Sequence, residues 1–338
     1  MKHTILFMSF LIILFFITSC AEQEAETTIE QPSQQTNNEE PSQVKEPFKQ
    51  YTLNDEGNYE FECTEEQQSR VNTFGGKIHT IWSATSEDGM TWAEEQYIQL
   101  GSVPEVIFFN DKYYLFAMGS CLMYISEDGL NFEPYSYTLK NENLPDDFRN
   151  FGGVDPTAIV DNGEIRLFFY EPEFQGGQPS DPALVTGEHA VVQYTSEDAV
   201  TWTRIGQAVA VEQITDPDIV FYNDLYYLFL SKGTSVIATS SEDGETFSVL
   251  NNGAPVHNLG GVPDTIVIDK TMYMYVHKGN GETTAINIIT STDGLSWEEA
   301  GTALEEGEAP SVVQLSDGRY RMYYIQSLSK EEYEELVG

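Results

Sequence analysis

A carboxylate recurs beside proline along this chain. The strings are Val103-Pro104-Glu105, Asp155-Pro156-Thr157, Asp216-Pro217-Asp218, Val262-Pro263-Asp264 and Ala309-Pro310-Ser311, with Glu308 directly before Ala309. Each proline fixes the backbone at the start of a short apolar run. If the five runs converge, Glu105, Asp155, Asp216, Asp218 and Asp264 surround one axis, with Glu308 at its edge. Carboxylates brought together raise one another's pKa, which is how a general acid is separated from a general base. The competing readings are backbone capping by these side chains, or one axial cation such as Ca2+. No other cofactor is called for.

What must position these residues is an array of repeated units. Five copies of one phrase occur: Ser86-Glu-Asp88-Gly89-Met-Thr-Trp92, Ser126-Glu-Asp128-Gly129-Leu-Asn-Phe132, Ser196-Glu-Asp198-Ala199-Val-Thr-Trp202, Ser241-Glu-Asp243-Gly244-Glu-Thr-Phe247 and Ser291-Thr-Asp293-Gly294-Leu-Ser-Trp297. Their starts lie 40, 70, 45 and 50 residues apart. Such a period signals stacked supersecondary units. Each phrase follows a strand, a turn and a second strand, as in Ile219-Val-Phe-Tyr222, Asn223-Asp224 and Tyr226-Tyr-Leu-Phe-Leu230. Only the final unit lacks a phrase after its second strand, and only the first phrase lacks two strands before it. Residues 78–85 and 95–100 therefore complete the unit whose inner strands lie in 311–325. The fold expected is all-β: a five-bladed propeller of four-stranded antiparallel blades, closed by N- and C-terminal strands in one blade. A helix is expected only at 330–336.

The phrase itself reads as structural. Asp-Gly suits a tight turn, and Ser and Asp side chains bond turn backbone. Its aromatic residue is expected to pack between blades, and Ala199 replaces the usual glycine in the third copy.

On these motifs the chain resembles the five-bladed propeller glycosidases of the arabinanase, β-xylosidase and invertase type, over about residues 75–338. The resemblance implies an inverting hydrolase with an Asp base, an Asp in the next blade that tunes pKa, and a Glu acid in a Glu-Gly-Pro string. Asp155 matches the base and Asp216 the tuning residue. The third blade reads Gly260-Gly261-Val262-Pro263-Asp264, without that Glu. Asp264 is the nearest substitute, and Glu308-Ala309-Pro310 resembles the string one blade further round. An inverting pair stands roughly 6.5–9.5 Å apart with water between.

Two long segments, Pro134–Asn150 and Glu171–Glu188, flank one blade and read as walls of a cleft. Arg149, Lys232, His277 and Lys278 are the expected substrate contacts on that rim, with Glu105 and Asp218 on the axis. Only Arg149 is an arginine on the rim, which argues against a sialidase.

Residues 1–19 read as a lipoprotein signal peptide: Lys2, an apolar run and Ile17-Thr18-Ser19-Cys20, which looks like a bacterial lipobox lipidated at Cys20. Residues 20–58 are polar and acidic and read as a disordered tether, and 59–338 as the propeller. Formal net charge is −39 for the whole chain and −39 − 1 = −40 once Lys2 is removed. That charge repels nucleic acid. No calcium loop and no CxxC occurs. Cys63 and Cys121 are either a disulfide or two buried thiols. The chain is thus expected to be an exported, membrane-anchored monomer that acts on or binds carbohydrate. The alternatives are a non-catalytic glycan- or protein-binding surface propeller and a propeller serving envelope assembly.

Overall fold

The computed structural model describes residues 51–68, 71, 73–119, 121–144, 154–172, 188–279 and 284–338. In chain order they begin with β1 (Tyr51–Leu53), β2 (Tyr59–Phe61), α1 (Glu65–Gln68), β3 (Thr73–Phe74), β4 (Lys77–Ser86) and β5 (Ala93–Leu100). The next blade holds β6 (Ser102–Phe109), β7 (Lys112–Met118), β8 (Met123–Ser126) and β9 (Glu133–Pro134). After β10 (Tyr137–Leu139) come β11 (Val154–Asp161), β12 (Glu164–Pro172), β13 (Glu188–Ser196) and β14 (Thr201–Glu212). A third set is β15 (Thr215–Tyr222), β16 (Leu225–Lys232), β17 (Ser235–Ser241) and β18 (Ser248–Val249). The fourth is β19 (Gly261–Ile268), β20 (Thr271–Gly279), β21 (Thr284–Ser291) and β22 (Glu298–Leu304). The chain ends with β23 (Glu308–Gln314), β24 (Tyr320–Leu328) and α2 (Lys330–Val337).

This is an all-β propeller of antiparallel four-stranded blades. Four blades are built from consecutive strands: β6–β9, β11–β14, β15–β18 and β19–β22. The expectation of five like blades is corrected to these four. The remaining sheet is a composite from both ends of the chain, in which β24 pairs β4 and β4 also pairs β3 and β5. Two further details differ from expectation. Residues 51–58, read as the end of the tether, carry β1 and a turn into β2, and β2 adds to β10. β10 then joins β14 in parallel, extending that blade's sheet to seven strands. Phe61 and Tyr137 stack there at 5.0 Å, so aromatic burial offsets the ordering of this polar stretch.

The hairpins follow from their turn residues. Asn110-Asp111, Asn223-Asp224 and Asp269-Lys270 all have positive φ at both positions, as a primed two-residue turn requires. The innermost strands touch in cyclic order: β6 with β11, β11 with β15, β15 with β19, β19 with β23, and β23 with β6 again.

The phrase bonds one sheet to the next. In every copy the Asp Oδ1 accepts two backbone N–H groups of its own turn, as Asp128 does from Leu130 and Asn131 at 2.8 Å. These bonds hold Asp88, Asp128, Asp243 and Asp293 below the ordinary carboxylate range. Four turns also accept a donor from the preceding sheet, Tyr275 to Gly89, Tyr323 to Gly129, Arg166 to Asp243 and Tyr222 to Thr292, and the fifth accepts Tyr135, in the link after β9, at Ala199. Each phrase aromatic stands edge-on against a second-strand aromatic of that same sheet: Trp92 on Tyr275, Phe132 on Tyr323, Trp202 on Phe116, Phe247 on Phe168 and Trp297 on Phe229. Centroids are 5.5–6.0 Å apart, the distance at which edge-to-face pairs attract. Ala199 adopts φ +63°, so the third turn keeps the left-handed shape without glycine.

Candidate functional site

Each innermost strand begins with the same irregularity. The residue before proline has positive φ: Val103 at 44°, Asp155 at 55°, Asp216 at 41°, Val262 at 50° and Ala309 at 45°. A register shift accompanies it in all five strands. A residue preceding proline normally favours extended backbone, and a β-branched residue at positive φ is a true outlier. The strain is repeated around the ring and sets the side chains into two layers.

The lower layer comprises the residues after the prolines: Glu105, Thr157, Asp218, Asp264 and Ser311. Each side chain accepts the backbone N–H two residues beyond the proline of the next sheet. Glu105 Oε1 takes Ala158 N–H at 2.8 Å, Thr157 Oγ1 takes Ile219 N–H at 3.1 Å, Asp218 takes Thr265 N–H, Asp264 Oδ2 takes Val312 N–H at 3.0 Å, and Ser311 Oγ takes Val106 N–H at 2.9 Å. Thr265 Oγ1 also donates to Asp218 Oδ2 at 2.6 Å. The five bonds close a belt. Burial pushes the Glu105 carboxyl up to about 8 and that of Asp218 to about 6, and with the neighbouring acids it raises Asp264 well above its usual value. The belt thus commits Glu105, Asp218 and Asp264 to backbone, which is the capping role.

The upper layer holds the residues before the prolines. Three are apolar, and two are Asp155 and Asp216 in consecutive blades. The Asp155 carboxylate accepts the backbone N–H of Asp216. Burial, then the Asp216 charge, drive the Asp155 carboxyl well above its normal range, and burial lifts Asp216 to about 6. The charge of one carboxyl thus raises the proton affinity of the other. The two residues line a funnel with Glu105, Asp264, Thr157 and the five prolines, around a cavity of about 20 Å3.

Glu308 lies outside this lining. Its Oε1 accepts Thr284 Oγ1 at 3.2 Å and Ser327 Oγ at 3.5 Å. Its charge acts on His79 and His277, both of which burial pulls below the usual histidine value. His79 Nδ1 bonds Ser102 Oγ at 2.7 Å. The structure therefore brings Asp155, Asp216 and the belt together, and sets Glu308 with His277 in a second group. Lys232 is exposed at the end of β16. Lys278 pairs with Glu299 at 3.4 Å. Arg149 and Cys20, and most of the two cleft segments, lie outside the described residues. Cys63 and Cys121 are joined by a disulfide, Cα atoms 5.7 Å apart. Among the described residues no group of three or more His, Cys, Asp or Glu could hold a metal ion.

Sequence reasoning missed Tyr170 and His189, which stand behind the carboxyl pair, and the belt roles of Thr157 and Ser311. The last two were legible, because they occupy the same column as Glu105 after the proline. His189 is 2% exposed.

No family model and no curated protein matches the chain. Solved structures do. A thermostable family-43 glycoside hydrolase is similar over 67% of this chain and 89% of its own, with 14% identity and a TM-score of 0.51. A family-43 protein from Bacillus licheniformis, BlXynB, matches with 15% identity and a TM-score of 0.48, covering 67% of this chain and 52% of its own, about half its length. A family-43 β-1,3-galactosidase with galactodeoxynojirimycin gives 13%, 0.48, 67% and 90%. At such identities the likeness is one of fold: this chain has the β-propeller fold found in glycoside hydrolases.

Proposed function

We propose that this chain is an exported surface lipoprotein whose propeller binds carbohydrate and hydrolyses it with inversion. The observation that carries the reading is the Asp155–Asp216 pair, two half-buried residues that line the axial cavity, with the Asp155 carboxylate on the Asp216 N–H. Asp155 is the base that draws a proton from water, and the charge of Asp216 raises its basicity. A third carboxyl delivers a proton to the leaving oxygen. Glu308 suits that task better than Asp264, because Asp264 Oδ2 is tied to Val312 N–H whereas Glu308 Oε1 meets the hydroxyls of Thr284 and Ser327. His277 beside Glu308, together with Arg149, Lys232 and Lys278, would meet sugar hydroxyls. The signal-like run ending in Ser19-Cys20 supports export and lipid attachment at Cys20.

A second reading is a non-catalytic glycan- or protein-binding propeller. It is favoured by the placement of Glu308 in a group separate from the Asp155–Asp216 pair. One experiment separates the two: sugar release from aryl-glycosides and polysaccharides by the soluble form lacking residues 1–50. Turnover abolished by Asp155→Asn and reduced by Asp216→Asn supports the hydrolase. Glycan binding without turnover, unchanged in both variants, supports the second reading.

A further inference from the structure

We propose that Tyr170 and His189 are positioning residues for the Asp155–Asp216 pair, and that a water molecule on the Tyr170 hydroxyl links them to it. His189 Nδ1 donates to the carbonyl of Ile214 at 2.6 Å, two residues before Asp216. The imidazole thereby pins the backbone that leads into the strained Asp216. With its proton on Nδ1, a neutral ring presents Nε2 as an acceptor. That Nε2 is buried and has no hydrogen-bond partner among the described residues. The Tyr170 ring lies 5.0 Å from the imidazole, and its hydroxyl is likewise buried without a partner among those residues. Tyr170 is 0% exposed.

Burial, then the charges of Asp155 and Asp216, raise the Tyr170 phenol, so it remains a donor throughout the useful pH range. The titratable groups recorded around it are thus Asp155 on β11, Asp216 on β15 and His189 on β13. Two buried orphans of opposite character beside a carboxyl pair meet the needs of one water. The water accepts from Tyr170, donates to His189 Nε2 and donates to one carboxylate. A hydrogen bond to the charged form of one carboxyl favours that form. The pair is then held as one charged and one neutral member.

The proposal rests on reading the pair as an acid–base device, but its test needs no substrate. The aspartates of the soluble chain are labelled with 13C and their carboxyl titrations followed by NMR, in the native protein and in Tyr170→Phe. We expect the upper apparent midpoint of the pair to rise by about one unit in Tyr170→Phe, with unchanged thermal midpoint. A crystal structure at high resolution should hold a water within hydrogen-bond distance of Tyr170 Oη. Coincident titrations in a folded Tyr170→Phe, or a dry Tyr170 in the crystal, overturn the proposal. If Tyr170→Phe does not fold, the crystal structure decides alone. Failure to cleave any sugar would sink the hydrolase reading and leave this one standing.

Discussion

Ser311 lies 206 residues from Glu105 in the chain, yet its hydroxyl donates to Glu105 Oε2 at 3.1 Å while accepting Val106 N–H. These contacts join β23 to β6 and close the belt at the seam where the two ends of the array meet. The seam needs no special chemistry. It uses the same acceptor position and the same backbone donor as the other four junctions.

Replacing Ser311 by Ala should therefore cost more than a lost surface hydroxyl. It leaves the buried Val106 N–H and one Glu105 oxygen without partners. Orphaned buried groups of this kind cost about 1–3 kcal/mol. Urea unfolding should show the loss as a lower midpoint with an unchanged slope. A stability equal to that of the native chain would refute the belt as a source of stability.

The phrase aromatics should show the packing side of the same closure. Trp202 is fully buried against Phe116. Trp202→Ala should lose about 3–5 kcal/mol, as large aromatic truncations in cores do. Trp297→Ala, at a partly exposed copy, should lose less. Equal losses at the two positions would contradict this ranking by burial.

Stability should fall as pH rises from 6.5 to 8. Folded Glu105 keeps its proton to about pH 8, against an ordinary 4.5, and Asp155 and Asp264 shift the same way. Between those limits the folded state binds more protons than the unfolded one, so raising pH favours unfolding. His79, His257 and His277 are pulled down from 6.5 by desolvation and act in the opposite sense chiefly below that value. The interval from 6.5 to 8 isolates the carboxyls. Thermal midpoints should drop across it, and Glu105→Gln should flatten the slope. A midpoint that rises with pH would contradict the belt electrostatics.

Cutting the Cys63–Cys121 link should release the N-terminal segment from the body. Closing a loop of 58 residues is worth about 4 kcal/mol in the chain-entropy account. The Cys63→Ser, Cys121→Ser double variant should melt earlier than the oxidised chain, and reductant should lower the native midpoint to match. Indifference to reductant would argue against the bond.

Glu308→Gln and Asp264→Asn should separate acid from scaffold. On the proposed mechanism Glu308→Gln abolishes sugar release with little change in melting. Asp264→Asn lowers the melting point through its bond to Val312. The reverse pattern would return the acid role to Asp264.

Much of the fold was legible because it is repeated. Five copies of one phrase fix turns, strand order and the sharing of one sheet by 78–85, 95–100 and 311–325, since local hydrogen bonding and alternation act within each unit. The carboxylates on the axis were legible for the same reason, as neighbours of a recurrent proline. The sequence could not say which of them face the mouth, because only Pro217 on a strained, bulged strand separates Asp216 in the funnel from Asp218 in the belt. That choice depends on the positive φ at Asp216 and on a backbone N–H donated from the next sheet, and neither is a local property. Nor could it show that Tyr170 and His189 stand behind the pair, or that Glu308 belongs with His277. Their distances in the chain hide contacts that strand pairing within a blade and packing between neighbouring sheets create.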